Sequence, residues 1–217
     1  AHSPGGGAGY IVATSTIGEQ AGVVSGSALL VDYMLTITVS IAACAEAIFS
    51  FVPPQFQRIK LLFAVFLVLV LIILNLRGVK ESVEVLAPIF LTFIITHGLL
   101  LGYGILSHTS SFGAVSSGIQ ANLAIDLSAI GIVGVLALFF RAYSLGAGTY
   151  TGIEAVAHGL QIMREPKVQT GKRTMAYMAT SLALVAGGLF LCYLLWHVVP
   201  VPGKSLNAVL AEGVFSG

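Results

Sequence analysis

Apolar residues gather into five runs, at 21–52, 61–76, 83–106, 131–162 and 174–199, and short polar stretches separate them. A helix needs about 20 apolar residues to cross the hydrocarbon core of a bilayer. Each run is therefore predicted as a membrane-spanning helix, and the fold class as all-α transmembrane. The first run is longer than a perpendicular span, so it must tilt or reach past the interface, and it ends at Pro53–Pro54. The second, LLFAVFLVLVLIILNL, closes at Arg77–Gly78, and Pro88 near the start of the third predicts a kink there. Residues 107–128 are rich in Ser and Gly and read as an exposed loop with an interfacial helix. MREPKVQTGKR at 163–173 reads as a charged loop, residues 1–20 as Gly-rich and too short to span, and 201–217 as loop with a turn of helix.

The fourth run differs from the rest. GIVGVLALFFRAYSLGAGTYTGIEAVAHGLQIMRE, residues 131–165, begins as an apolar helix and meets SLGAGTYTG before resuming as a shorter helix with Glu154 and His158. Gly146, Gly148 and Gly152 expose backbone, each at a cost of about 1 kcal/mol relative to Ala in a helix. Backbone freed in this way survives at membrane depth only against protein or a polar cavity. Helices broken at the midplane are where transporters bind ions and solutes, through half-helix ends and freed carbonyls.

Composition agrees with this reading. Of 217 residues, 57% are hydrophobic and 9% charged, against roughly 25% charged in soluble domains, and mean hydropathy is +0.97. The expected surroundings are a lipid bilayer. The net charge of +1 and the lack of a basic run give no reason to expect nucleic acid as a partner. Cys44 and Cys192 lie in apolar runs, which argues against a disulfide framework. With no initiator Met and no signal-peptide pattern, the chain reads as an internal piece of a longer protein. Its partners would then include the remaining helices of its own full-length chain. Loops at 77–82 and 163–173 hold Arg77, Lys80, Arg164, Lys167, Lys172 and Arg173, whereas those on the other side hold Arg58, Lys60 and Lys204. The excess of positive charge assigns the first group to the cytoplasm.

Polar residues within the spans are the candidate chemistry, because ionisable groups in hydrocarbon are costly and usually face a cavity or a partner. Asp32, Thr36 and Ser40 are spaced four apart in LLVDYMLTITVSIAACAEAIF and share a helix face bordered by Tyr33. Such a stripe suits an ion or solute path. Thr and Ser also bond their own helix carbonyls or help helices pack, so both readings stand for Thr36 and Ser40. Asp32 can instead sit at the interface, and Glu46 reads as interfacial. Arg141 keeps its charge and needs a carboxylate or carbonyls, which favours a structural ion pair. Glu154 can carry a coupling proton, since burial raises a carboxyl pKa, or pair structurally with Arg141. Thr149, Tyr150 and Thr151 offer hydroxyls at the break. His97 and His158 suit proton coupling by their titration range, although a lone helix histidine more often packs as a hydrogen-bond donor.

SPGGGAGYIVA, LLVDYMLT, NLRGVKES and TYTGIEAVAHGLQIMREPK, in that order, resemble segments of the amino acid–polyamine–organocation (APC) superfamily of permeases. The resemblance runs nearly end to end and implies helices three to seven of a LeuT-type inverted-repeat fold with a discontinuous helix. Within the superfamily the chain resembles the branch of Kim-type potassium importers, related to the KUP potassium uptake proteins. That resemblance implies ion contacts at Tyr33, Thr36, Ser40 and Thr151, with potassium held at Thr36, Ser40 and Thr151. It also implies a part in proton coupling for Glu154, with Asp32 a second candidate. The first helix of the family, which forms the opposite wall of the site, is not among these segments, so this chain alone is not expected to transport.

The expected function is secondary active transport: proton-coupled potassium symport, or alternatively proton-coupled amino acid uptake, or a truncated fragment that does not transport. Oxygen ligands suit a monovalent cation, while an amino acid carboxylate would favour N–H groups of the half-helix at Gly152–Ala155. No TVGYG-like filter marks a channel. His2, His97, His108, His158 and His197 form no metal-ligand or nucleophile–base pattern, so no enzyme is expected. SPGGGAGYIVA lacks the GK[ST] ending of a phosphate loop. No cofactor is expected beyond the transported cation and proton. A homodimer is a further candidate assembly, and a bacterial plasma membrane the expected location.

Overall fold

The computed structural model of the chain describes residues 8–146 and 155–216. In order, these form α1 (Ala8–Thr16), α2 (Glu19–Phe49), α3 (Lys60–Arg77), α4 (Val79–Leu106), α5 (Phe112–Gly146), α6 (Ala155–His158), α7 (Lys167–Leu195) and α8 (Leu206–Ser216), with 3-10 turns at Pro54–Ile59, Thr109–Ser111 and Gly159–Ile162. Among the described residues five helical stretches are long and apolar enough to cross a membrane: Glu19–Phe49, Pro54–Arg77, Ser82–Leu106, Thr109–Gly146 and Lys167–Leu195. The fold is all-α and the protein is integral to a membrane. Its outer surface is correspondingly apolar; Leu61, Leu76 and Val133 are each more than 70% exposed.

Several boundaries differ from those the polarity pattern predicts. Residues 201–217 are not mainly loop, because Leu206–Ser216 is a helix of about three turns. Ala208, Leu210 and Val214 share one of its faces, and that face is buried. The fifth span starts at Lys167, so Lys172 and Arg173 lie on a helix and not in a loop. Pro166 supplies its first carbonyl, which accepts the Thr170 amide at 3.0 Å. The helix expected within 107–128 begins at Phe112 and occupies nearly all of that stretch, and it is interrupted at Gly131.

The chain divides into two packed units, Ala1–Thr38 with Asp126–Leu184 and Val39–Ile125 with Val185–Gly217. In the first unit α1 folds back against the start of α2. A Cβ at Gly22 would stand 2.9 Å from the Thr14 Cβ, so only glycine permits this approach. The start of α7 packs on the 3-10 turn, with Leu160 against Gly171, and Val156 of α6 is buried.

The second unit is built around Cys192, Leu210 and Val214, with Leu100, Leu101, Ile105, Leu189 and Trp196 packed against them. Its polar contacts cluster where the spans end. The Trp196 indole donates to the Gly104 carbonyl at 3.0 Å, and the His108 ring lies 4.1 Å from the indole between centroids. Ser50, buried at the end of α2, donates to the Glu46 carbonyl at 2.8 Å. Its oxygen accepts the Ser205 amide at 2.9 Å. The Ser205 hydroxyl in turn caps α8 by accepting the Ala208 amide at 3.3 Å. Tyr193 donates to the Asn207 side chain, and Lys204 meets both Glu212 carboxylate oxygens at 2.6 Å.

Two substitutions test this account. Gly131 has φ 67° and ψ 173°, a region essentially reserved for glycine and costing other residues on the order of 1–3 kcal/mol. Gly131→Ala should lower the thermal midpoint of the purified full-length protein, whereas Gly113→Ala, whose Cβ would meet nothing within 4 Å, should not. Ser50→Ala strands the Ser205 amide at a cost of about 1–3 kcal/mol, and should also lower the midpoint and speed proteolytic cleavage between α7 and α8.

Candidate functional site

α2 carries the described part of the candidate site. Its buried face is Ile41, Ala45 and Phe49, spaced four apart. Phe49 packs on Phe63 of α3 with ring centroids 5.7 Å apart. At about 100° per residue, Thr36 and Ser40 lie on the opposite side of the helix from that face, flanked by Asp32 and Tyr33. Tyr33 and Thr36 are half-buried, and Asp32 and Ser40 exposed.

Helix hydroxyls of the described residues fall into two groups, those that bond their own helix and those, such as Ser25, Ser27, Thr36, Ser40 and Thr180, that do not. Thr38, off the stripe, donates to the Met34 carbonyl at 2.8 Å. Thr92, Thr96 and Thr174 likewise bond carbonyls one turn back. Thr36 and Ser40 make no such bond and have no partner among the described residues. The reading in which these two hydroxyls satisfy their own helix does not hold. Asp32 has no ion pair among the described residues. A carboxylate and two hydroxyls at successive turns thus present oxygen ligands with no basic side chain in the stripe, a donor set suited to a hard monovalent cation.

Thr151, Glu154, Gly148 and Gly152, with Thr149 and Tyr150, lie outside the described residues. Gly146 ends α5, and a Cβ there would meet nothing within 4 Å. The next described residues form the single turn Ala155–His158 and the 3-10 turn Gly159–Ile162. Arg141, one turn before Gly146, is exposed and has no ion pair among the described residues. His97 packs on Phe93 at 4.0 Å between centroids, and its Nδ1 donates to the Phe93 carbonyl at 3.0 Å, the geometry of a packed donor. Glu46 meets Lys60 at 3.1 Å near the end of α2. Among the described residues no group of three or more His, Cys, Asp or Glu could hold a metal ion. A cleft of about 540 Å³ between α1 and α2, lined by Tyr10, Thr14, Glu19 and Gly22, reaches Leu30, one turn short of Tyr33. Polarity alone does not mark it, because close packing of glycines shapes it.

A family profile described as amino acid permease matches residues 1–215. The chain belongs to the amino acid permease family. It is also similar to the potassium transporter KimA of Bacillus subtilis (strain 168), with 32% identity over 223 residues, covering 98% of this chain and 34% of that protein. The permease chain thus spans about a third of the length of that relative. Both the family and the relative are transporters by description, in keeping with the membrane helices.

The contrast in hydrogen bonding predicts the outcome of a threonine comparison in the full-length permease. Thr36→Ala and Ser40→Ala should each weaken apparent substrate affinity about tenfold, the loss of a bond worth about 1.4 kcal/mol. Thr38→Ala, which removes only a bond within the helix, should leave affinity unchanged; uptake measured against substrate concentration separates the two.

Proposed function

We propose that the permease imports potassium by proton-coupled symport, with this chain supplying helices three to seven of an inverted-repeat fold. The observation that carries the reading is the pair of hydroxyls on α2 with no partner among the described residues, joined to 32% identity along nearly the whole chain with a protein named a potassium transporter. In this reading Tyr33, Thr36, Ser40 and Thr151 replace part of the ion's hydration shell with side-chain oxygens. Carbonyls at the break beside Gly146, Gly148 and Gly152 supply further ligands, as irregular backbone at membrane depth does where it lines a cavity.

Glu154 carries the coupling proton in this scheme. Symport needs the proton and the cation to be carried together, so Glu154 is protonated while the cation is bound and releases its proton on the side where the cation leaves. Asp32, at the start of the stripe, attracts the cation toward it. The loops at 77–82 and 163–173 face the cytoplasm of a plasma membrane, following their basic residues. The segment works with the remaining helices of the full-length chain, and as a homodimer if two copies assemble.

Growth at low potassium tests the reading in bacteria that lack their own uptake systems and express the full-length protein. Wild type should rescue growth, and Thr36→Ala and Thr151→Ala should abolish rescue at equal protein levels. Glu154→Gln should retain cation binding but lose uptake driven by an imposed proton gradient. Absence of rescue by well-expressed wild type, with uptake of labelled amino acids instead, would replace potassium by an amino acid as the substrate.

A further inference from the structure

α7 is longer than a crossing needs. Its 29 residues rise about 44 Å, against about 30 Å of hydrocarbon. Residues 175–195 carry no charge and are by themselves long enough to span. The first two turns, residues 167–174, therefore stand at headgroup depth. They and the residues just before them gather Arg164, Lys167, Lys172 and Arg173 against one carboxylate, Glu165. Roughly four to eight basic residues beside a membrane span form the pattern that attracts anionic lipid headgroups.

The single carboxylate is already engaged. Glu165 meets the Lys167 ammonium at 3.8 Å and accepts the Lys167 amide at 3.2 Å. Arg164, Lys172 and Arg173 are exposed and have no ion pair among the described residues. Lys172 and Arg173 are neighbours that repel one another, and so near the start of a helix they gain nothing from its dipole. An anion at this level would offset both costs.

Helical phase joins these cations to the membrane. At about 100° per residue, Lys172, Arg173, Ala176, Tyr177, Thr180 and Leu184 fall within one arc of about 140°. All six are exposed, with Tyr177 at 73% and Leu184 at 69%. Gly171, Thr174, Met178 and Leu182 lie on the opposite side and are buried or half-buried. The open face is thus cationic at headgroup depth, carries a tyrosine one turn further in, where such rings collect, and ends apolar. A phospholipid presents its groups in the same order.

We propose that this face of α7 binds an anionic phospholipid. The Arg173 guanidinium and the Lys172 ammonium hold the headgroup phosphate, the guanidinium by paired hydrogen bonds, and an acyl chain lies along Ala176, Thr180 and Leu184. A soluble anion would use the cationic end alone and leave Tyr177 and Leu184 without a role. A zwitterionic lipid brings no net charge to neutralise. The inference holds for whichever ion the permease carries and for whichever leaflet meets the start of α7.

The test titrates phosphatidylglycerol carrying a diazirine in its acyl chain into the full-length permease in neutral detergent. The yield of label on residues 174–184 is read by mass spectrometry. Labelling should saturate, and unlabelled phosphatidylglycerol should displace it, while phosphatidylcholine and glycerol phosphate should not. Lys172→Gln with Arg173→Gln should raise the half-saturating concentration about thirtyfold, two basic residues at about 1 kcal/mol each. Arg58→Gln, which removes an exposed charge from the turn Pro54–Ile59, should leave it unchanged. The displacement pattern needs no substitution, so it decides the matter even if the double variant does not fold. Absence of label on 174–184 would mean that protein covers the face, and would overturn the proposal. Displacement by phosphatidylcholine as effective as by phosphatidylglycerol would overturn the anionic assignment. Displacement by glycerol phosphate would make this a site for soluble anions, and an unchanged titration in a folded double variant would remove Lys172 and Arg173 from it.

Discussion

A peptide group carried into hydrocarbon must find its hydrogen bond within the protein, because no water is present to supply one. Everything described in this permease follows from that requirement. The spans are helices because a helix satisfies its own backbone, and among the described residues departures from helical backbone fall at glycines such as Gly78 and Gly131. Side chains follow the same rule. Most threonines in the spans return their hydroxyl to a carbonyl one turn back, as Thr38, Thr92 and Thr96 do. Thr36 and Ser40 make no such bond among the described residues.

The two faces of α2 divide the labour. Ile41, Ala45 and Phe49 form its buried face, and by helical phase the stripe from Asp32 to Ser40 lies on the other side. The ion pair of Glu46 with Lys60 sits beyond the stripe, toward the end of the span. Pairs as exposed as this one are worth about 0–1 kcal/mol, so it adds little to the stability of the helix end.

Specific polar contacts collect where the spans end, since water and headgroups there lower the cost of a polar side chain. Ser50 joins the end of α2 to the cap of α8, and Trp196 ties the end of α7 to α4 through the Gly104 carbonyl. These contacts give direction to an end of the unit whose apolar core, Cys192, Leu210 and Val214, is small. Between the ends, shape and lipid contact suffice.

The sequence by itself determined the all-α membrane fold, since apolar length and the scarcity of charge leave a helical chain no other environment. It also determined the family resemblance and the stripe of Asp32, Thr36 and Ser40, because helical spacing is a property of the chain alone. Tertiary structure decided what spacing cannot express. Whether a hydroxyl is spent on its own helix depends on its rotamer, which distinguishes Thr38 from Thr36 although both are threonines of one helix. The extent of α8 was hidden because LNAVLAEGVFS is short, and its buried face becomes a face only against Leu100, Leu101 and Trp196. The start of α7 at Lys167 was hidden for the opposite reason: basic residues mark where a chain leaves the hydrocarbon, and a helix continues past that boundary wherever its backbone bonds can still be made.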